Sequence, residues 1–144
     1  MQNTLTLVLT VKSPDDYQAL TQLLGSVKDQ MDNAFRSLNI VHFARVVFLD
    51  DNTKVAVITE FDGDFPTYVQ DFAEALGPVF DALFGHTVEA PPLPVEDPQN
   101  LQAFIDFSQK YNVPVPYFYS AFPDLTVLNI MDLQKGSQGQ QAAQ

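Results

Sequence analysis

Arg45 and Glu60 are the two charged residues whose placement most suggests chemistry. They stand on neighbouring β-rich runs, Val41 to Leu49 and Lys54 to Phe61, joined by an Asp-Asp-Asn-Thr turn. A hairpin over these runs places both side chains on one largely apolar face, diagonally across the ladder. Two interpretations are open. They form a buried or interfacial ion pair that fixes register or dimer geometry, or Arg45 orients a ligand carboxylate or carbonyl in an apolar cavity.

The two histidines, His42 and His86, are the candidates for a base or a metal ligand. The chain has no H-x-x-x-H or H-x-H spacing and no cysteine, so the sequence predicts no metal site and no cofactor. We expect His42 to hydrogen-bond a loop carbonyl or Asp62. His86 follows a predicted helix, where a cation suits the helix dipole. The segment Phe61-Asp62-Gly63-Asp64 lacks the acid spacing of a calcium loop and predicts a corner with a helix cap.

The aromatic run Tyr117-Phe118-Tyr119 is the third feature that could contact a ligand. Aromatic residues on a strand belong to a core or an interface more often than to a pocket. Tyr117 and Tyr119 are nevertheless candidate ligand-binding residues. No phosphate-binding loop, nucleophile elbow or zinc-protease motif is present, so the catalytic residues are unknown and the sequence does not decide whether the chain is an enzyme.

The charge balance restricts the partners of the chain. Its 144 residues carry 7 Lys and Arg against 18 Asp and Glu, a formal net charge of −11. An acidic surface repels phosphate backbones and anionic lipid headgroups, so we expect neither nucleic acid nor a membrane as a partner. No apolar run approaches the roughly 20 residues of a membrane span. The N-terminus lacks a basic region before its apolar stretch, so we do not expect a secretory signal. The absence of cysteine fits a cytoplasmic location.

The elements that position these residues follow from apolar periodicity and from capping signals. Leu5 to Val11 alternates as a half-buried strand does, and an amphipathic helix is predicted after the Ser13 cap. The hairpin follows, and the turn residues predict that Arg45 faces Ile58 and Phe43 faces Glu60. The remaining predicted elements are a helix capped by Asp64, a helix opened by Asp97-Pro98, an edge strand at Pro116 to Phe122, and a final segment at 124–135.

The C-terminal part of the chain is the least determined by pattern. Residues 124–135 are ambiguous between strand and helix, and the Asp124 cap with the spacing of Val127, Leu128 and Met131 favours a short helix. Gly, Ser, Gln and Ala dominate residues 136–144, which we predict to be a flexible tail. A single domain over residues 1–135 is expected.

The order β-α-β-β-α-[α]-β-α predicts an α+β fold with a ferredoxin-like antiparallel sheet and helices on one face. Both faces of the hairpin are largely apolar, although a sheet with one wet face usually alternates apolar and polar residues. We therefore expect a second body to cover the face without helices, and a homodimer is the leading expectation.

Two short motifs, Val41-His42-Phe43-Ala44-Arg45 and Glu60-Phe61-Asp62-Gly63-Asp64, resemble a family of bacterial proteins of unassigned function. The likeness spans roughly residues 41–131. It implies a ferredoxin-like fold akin to dimeric α/β-barrel proteins, and it implies no reaction. The positions that match the family motifs are His42, Phe43, Arg45, Phe61, Asp62, Gly63 and His86. At residues 121–124 the chain departs from the glycine- and arginine-containing turn of the family, so no anion site is expected there.

Three functional hypotheses follow. The first is a homodimeric domain that binds a small apolar or carboxylate-bearing ligand. Its candidate ligand-binding residues are Arg45, Glu60, His42, Asp62, Tyr117 and Tyr119. The second is an enzyme or haem binder of the dimeric α/β-barrel type that uses His42 and Arg45. The third is an accessory module whose acidic surface docks onto a basic protein face.

Overall fold

A computed structural model describes residues 1–142 of the chain and shows an antiparallel sheet with helices. The elements are β1 (Gln2–Thr10), α1 (Pro14–Leu38), β2 (Val41–Leu49), β3 (Lys54–Asp62), α2 (Phe65–Phe84), a 3-10 turn (Pro98–Asn100), α3 (Leu101–Tyr111) and α4 (Val127–Ala142). The order β1-α1-β2-β3-α2 and the sheet order β1-β3-β2 are those of a ferredoxin-like α+β fold, which confirms the predicted fold class. None of the helices within the described range is long and apolar enough to cross a membrane.

The hairpin of β2 and β3 has the register that its turn residues predict. Arg45 pairs with Ile58 and Phe43 pairs with Glu60 in an antiparallel ladder. The turn is built from three consecutive left-handed residues at positions 50–52, a conformation that Asp and Asn tolerate better than other side chains. A bulge between Val41 and Phe43 interrupts the ladder and leaves His42 unpaired at the start of β2.

One face of the sheet is buried beneath α1 and α2. Alternate residues of β1 and β3 point into this core, as the period of a strand requires. Phe61 of β3 is fully buried and stacks on Tyr68 of α2, with ring centroids 3.8 Å apart. The buried strand residues of this core are Leu5, Leu7, Leu9, Val55, Val57 and Phe61. Within the described residues the helices pack mainly on this side, and we call the opposite face of the sheet the open face.

Local signals place the ends of both covering helices. The Ser13 side chain accepts a hydrogen bond from the Asp16 backbone N–H, and Asp64 accepts one from Thr67. Each cap satisfies a donor that the first turn of a helix leaves without a partner. Helix α2 bends at Leu76, which has a non-helical φ of −132°. Pro78 causes the bend, because it lacks the N–H of a regular helix.

The predicted edge strand at Pro116 to Phe122 is wrong. The chain there forms no strand, and the one β-bridge between β1 and the neighbouring chain within the described residues joins Leu7 to Asn112. The Val113 N–H donates to the Thr6 carbonyl at 2.8 Å, but prolines at positions 114, 116 and 123 remove the donors that a longer ladder needs. The position of a fourth strand beside β1 is therefore taken by irregular chain.

The last element is a helix, as predicted for residues 124–135, but Thr126 and not Asp124 caps it, since the Thr126 hydroxyl oxygen accepts from the Asn129 N–H at 3.1 Å. Helix α4 covers Val127–Ala142 and so extends into the segment 136–144 that its composition predicts to be a tail. Positions 143 and 144 lie outside the described residues. Leu128, Ile130 and Leu133 are exposed on different sides of this helix.

Candidate functional site

A cavity of about 570 Å³ lies between α1, α2 and the edge strand β2. Small-molecule sites in proteins typically enclose about 300 to 1,000 Å³. Its apolar walls come mainly from the inner sides of the two helices. The wall residues on the helices include Leu23, Leu24, Met31, Phe35, Phe72, Val79, Phe80 and Leu83. The volume falls within this range, and the lining is mostly apolar.

The cavity exists because the helical layer does not close over β2. Helix α1 packs mainly against α2 and touches β2 at few positions. The residues of the sheet beneath this gap are small, since Ala44 pairs with Thr59 across the ladder. Ala44 stays exposed and Val46 is only half-buried, although both lie on the side of the sheet that the helices cover. A gap between two packed layers thus becomes a cleft that opens at the sheet edge.

Cations are concentrated around the mouth of this cleft. Lys28 and Arg36 of α1 and Arg45 of β2 line it, which is three of the seven Lys and Arg in the chain. The one carboxylate in the lining, Asp32, lies 2.7 Å from Lys28, and its hydrogen bond raises the pKa of that lysine. Neither arginine takes part in an ion pair within the described range. An acidic chain therefore has a locally basic cavity mouth.

A buried hydroxyl pair lies at the boundary between the cavity and the core. The Tyr68 hydroxyl lies 2.9 Å from Oγ1 of Thr59, and the two residues are 1% and 0% exposed. Thr59 lines the cavity, whereas Tyr68 lies behind it. Burial raises the pKa of Tyr68, so the phenol stays protonated at neutral pH.

His42 lines the cavity from the bulge at the start of β2. Its Nε2 lies 2.7 Å from Oδ1 of Asp62, one of the two partners that the sequence leaves open, and both side chains are 10% exposed. The second oxygen of Asp62 accepts a hydrogen bond from the Val127 N–H at 2.8 Å. The carboxylate thus joins the cavity wall to the first turn of α4. Because Nε2 is engaged, a ligand of His42 would have to use Nδ1.

Arg45 and Glu60 lie on the open face, as the hairpin pattern predicts, but they do not form an ion pair with each other within the described residues. The expectation of a pair inside one chain is therefore wrong. Arg45 is exposed and Glu60 is half-buried. The ladder turns Arg45 toward the open face. Arg45 nevertheless lines the cavity, so it belongs to the rim at the edge of the sheet.

The other predicted site residues do not meet at the cavity. Tyr117 and Tyr119 are 80% and 72% exposed in the irregular segment after α3, and neither lines the cavity. Asp62 reaches it only through His42, and Glu60 lies outside it. The structure therefore brings His42 and Arg45 to one site, places Asp62 behind them, and leaves the remaining three elsewhere.

Pattern analysis missed Lys28, Arg36 and Thr59. The two cations stand eight residues apart on α1 with Asp32 midway between them, so all three fall on one stripe of the helix. That spacing is a signal in the sequence for a polar stripe beside an apolar one. Nothing comparable marks Thr59, because its role depends on a gap between layers and not on its neighbours in the chain.

His86 has a structural position away from the cavity. Its Nδ1 lies 2.8 Å from Oδ1 of Asp16, so it ties the end of α2 to the start of α1. Hydrogen bonds from the Ser13 hydroxyl and then from His86 lower the pKa of the Asp16 carboxyl. Across residues 1–142 no cluster of three His, Asp or Glu side chains is arranged to hold a metal ion.

No family model and no curated protein matches this chain. Among solved structures, the chain is similar to a dimeric ferredoxin-like protein from an uncultured marine organism. The two are 11% identical, the match covers 60% of this chain and 78% of the other, and the TM-score is 0.47. A likeness of this size carries no information about ligand or assembly.

Proposed function

We propose that this protein is a ligand-binding domain whose cavity takes a small apolar molecule with a carboxylate group. The observation that carries the proposal is the coincidence of an apolar cavity of about 570 Å³ with three of the seven cations of the chain. In a chain of net charge −11, cations have many acidic side chains to pair with. Two arginines at one cavity mouth without such partners favour an anionic group supplied by a ligand.

The chemistry of the mouth favours a carboxylate over other polar groups. A guanidinium presents a planar fork of N–H donors that matches the two oxygens of a carboxylate. Arg36 and Arg45 approach the mouth from two different elements, the helix α1 and the strand β2. A carboxylate between them would be held from both sides.

The walls favour an apolar body behind the carboxylate. Phe35, Phe72 and Phe80 supply flat aromatic surface, and Met31 supplies a flexible side chain that adapts to irregular shapes. Apolar surface that leaves water on binding contributes about 25 cal/mol per Å². A medium-chain fatty acid has both parts, a carboxylate for the cationic mouth and an apolar chain for the walls.

Isothermal titration of the full chain with decanoate and with decanol tests the proposal, at concentrations below the micellar range of decanoate and below the solubility limit of decanol. We expect decanoate to bind at least about tenfold more tightly than decanol, which corresponds to about 1.4 kcal/mol. Arg36→Gln should lower the affinity for decanoate and leave that for decanol unchanged. Lys110→Gln removes a cation on α3, outside the cavity lining, and should change neither. Equal binding of acid and alcohol, or no binding of either, would contradict the proposal.

We further propose that a second copy of the chain covers the open face. Phe43 is 75% and Leu49 44% exposed there, in a β2 strand that has no neighbour on its outer side within the described residues. Arg45 and Glu60 lie on the same face with opposite charges. In a two-fold contact the Arg45 of each copy can meet the Glu60 of the other, because such an interface is self-complementary.

The size of the open face indicates what else such a dimer uses. Strands of nine residues at about 3.3 Å per residue, three strands wide, outline roughly 400 Å². Stable interfaces bury about 800 Å² on each partner. Gln2, whose side chain lies on the open face, donates to the carbonyls of Phe122 and Leu125. The irregular segment that carries Tyr117, Tyr119 and Phe122 therefore borders the open face. Its exposed aromatic side chains can supply the rest of the interface area.

Native mass spectrometry of the gently purified chain tests the assembly and the ligand together. A dimer is expected, and additional mass that leaves on mild activation would be a co-purified ligand. A monomer at every concentration would contradict the dimer while leaving the titration of the cavity to decide the ligand.

A further inference from the structure

Helix α4 is held to the rest of the chain at its first turn. The Val127 N–H donates to Oδ2 of Asp62 at 2.8 Å, but the helix makes no extensive contact with any strand or other helix within the described residues. Thr126 and Asn129 cap its start, each side-chain oxygen accepting from the backbone N–H of the other, at 3.0 Å and 3.1 Å. The start of α4 is therefore fixed, while most of its length has no extensive contact with its own chain.

The first two turns of α4, residues 127–133, are apolar on more than one side. Five of these seven residues are apolar. Leu128, Ile130 and Leu133 are 54%, 44% and 62% exposed. Steps of about 100° per residue place the three around the helix and not along one stripe. A helix that packs only on its own sheet needs one apolar stripe, whereas apolar residues on several sides indicate cover by a second body.

One side of α4 has an open groove. Its lining consists of Leu125, Asn129, Asp132, Leu133, Gly136 and Ser137. All six belong to α4 or to the turn before it, so no other part of the described chain covers this side.

The anchor of α4 lies beside the open face of the sheet. Gln2 and Asp62 pair at one end of β1 and β3 and turn toward that face. Gln2 donates to the carbonyls of Phe122 and Leu125, and Asp62 accepts from Val127. Helix α4 therefore follows directly on the exposed aromatic segment, and a second copy on the open face would lie next to both.

The charge of the chain increases the need for apolar surface in a dimer. Two chains of net charge −11 repel each other, so their association depends on apolar contact. The open face outlines roughly 400 Å², about half of what each partner of a stable interface buries. Seven helical residues that rise about 1.5 Å each, on a helix about 10 Å wide, add roughly 100 Å² on each side. The first two turns of α4 thus supply apolar area beyond that of the sheet.

We infer that α4 is a dimerisation arm, whose residues 127–133 pack against the second copy of the chain at the border of the open face. This role rests on the proposed dimer and names a segment of each chain that contacts the other. In a single chain the same residues stay exposed.

Substitution of Leu133 separates a role in assembly from a role in folding. Leu133→Asp places an unpaired charge in the proposed contact and should weaken the dimer at least about tenfold. Leu133→Gln retains a good helix former and should weaken the dimer in the same direction. Leu93→Asp is the matched control, because Leu93 is 43% exposed in the connector between α2 and α3. Sedimentation equilibrium of the full chains measures the dissociation constants, and equal values for Leu133→Asp and Leu93→Asp would overturn the arm.

Hydrogen exchange of the unaltered chain follows the arm directly. Above the dissociation constant of the dimer, the amides of residues 127–137 should exchange at least about fivefold more slowly than below it, because contact with a second copy suppresses local opening. The connector at residues 88–97 should not change. Slower exchange in β2 without a change in α4 would overturn the arm and leave the dimer in place. Protection of α4 at every concentration would also overturn it, since the cover would then come from its own chain. A chain that stays monomeric throughout would contradict the proposed dimer and the arm together.

Discussion

Phe61 and Phe43 belong to the same hairpin and have opposite environments. Phe61 is 0% exposed beneath α2, whereas Phe43 is 75% exposed on the open face. Burial in this sheet is therefore set by the direction in which the pleat turns a side chain, and not by its type. Apolar residues on the covered face hold the domain together. Those on the open face are not needed for the fold of one chain and are available to a second body.

The covered face is itself divided into a tight part and a loose part. Under α2 the packing is continuous, with Phe61 of β3 against both Phe65 and Tyr68 of α2. Under α1 the helix stands away from β2 and leaves the cavity. A site for a ligand thus arises on the side where the layers fail to close.

The largest expected effect contrasts the two faces directly. Phe61→Ala should lower the free energy of unfolding by about 3 to 5 kcal/mol, because it removes a fully buried ring and leaves a cavity. Phe43→Ala is the matched control and should change the stability of the monomer by less than about 0.5 kcal/mol. Urea unfolding followed by circular dichroism measures both. Equal losses in the two variants would show that the open face is part of the core of one chain.

A second comparison contrasts two helical glycines, one that a side chain closely approaches and one with open surroundings. A Cβ at Gly77 would lie 2.8 Å from the Cβ of Glu96, so Gly77→Ala should destabilise by about 1 to 3 kcal/mol. Nothing lies within 4 Å of a Cβ at Gly25 in α1, so Gly25→Ala should stabilise by about 0.5 to 1 kcal/mol. Thermal unfolding of both variants gives the sign, and a loss in Gly25→Ala would contradict the open surroundings of this position.

Charge reversal on the open face should act on assembly and not on folding. Arg45→Glu places like charges opposite each other in the proposed two-fold contact and should weaken the dimer about tenfold or more. Adding Glu60→Arg exchanges the two charges and should restore it. Sedimentation equilibrium measures the dissociation constant of the dimer. The ligand is left out because Arg45 also borders the cavity, where its substitution would alter ligand binding. A double variant as weak as the single one would exclude this pairing.

The smallest expected effect is a pH dependence at the start of α1. Because the folded pKa of Asp16 is lowered, by Ser13 first and then by His86, its stabilising effect is complete above the ordinary Asp pKa of 3.8. The effect is lost as the pH falls through the lower folded value. Asp16→Asn should therefore lose less unfolding free energy than the unaltered chain between about pH 5 and pH 3. Asp15→Asn, a neighbouring carboxylate with no described side-chain partner, should behave like the unaltered chain.

Local patterns in the sequence are sufficient for much of the sheet and for the helix starts. The alternation from Leu5, the hairpin register of Arg45 with Ile58, and the Ser13 and Asp64 caps are all found where the sequence predicts them. Each depends on residues within a turn or a hairpin of one another. The predicted edge strand at Pro116 to Phe122 failed because strand pairing needs donors on both chains, and prolines remove them.

The candidate site likewise has one part that local patterns in the sequence predict and another part that they do not. The sequence by itself determined that Arg45 and Glu60 would share an apolar face, since this follows from strand period and from a turn, and it left a loop carbonyl or Asp62 as the partner of His42. Only the tertiary structure decided that this partner is Asp62, that α1 stands away from β2, and that Lys28 and Arg36 meet Arg45 at one cavity. Those relations depend on how layers pack across long stretches of chain, and no local period encodes a gap between two layers.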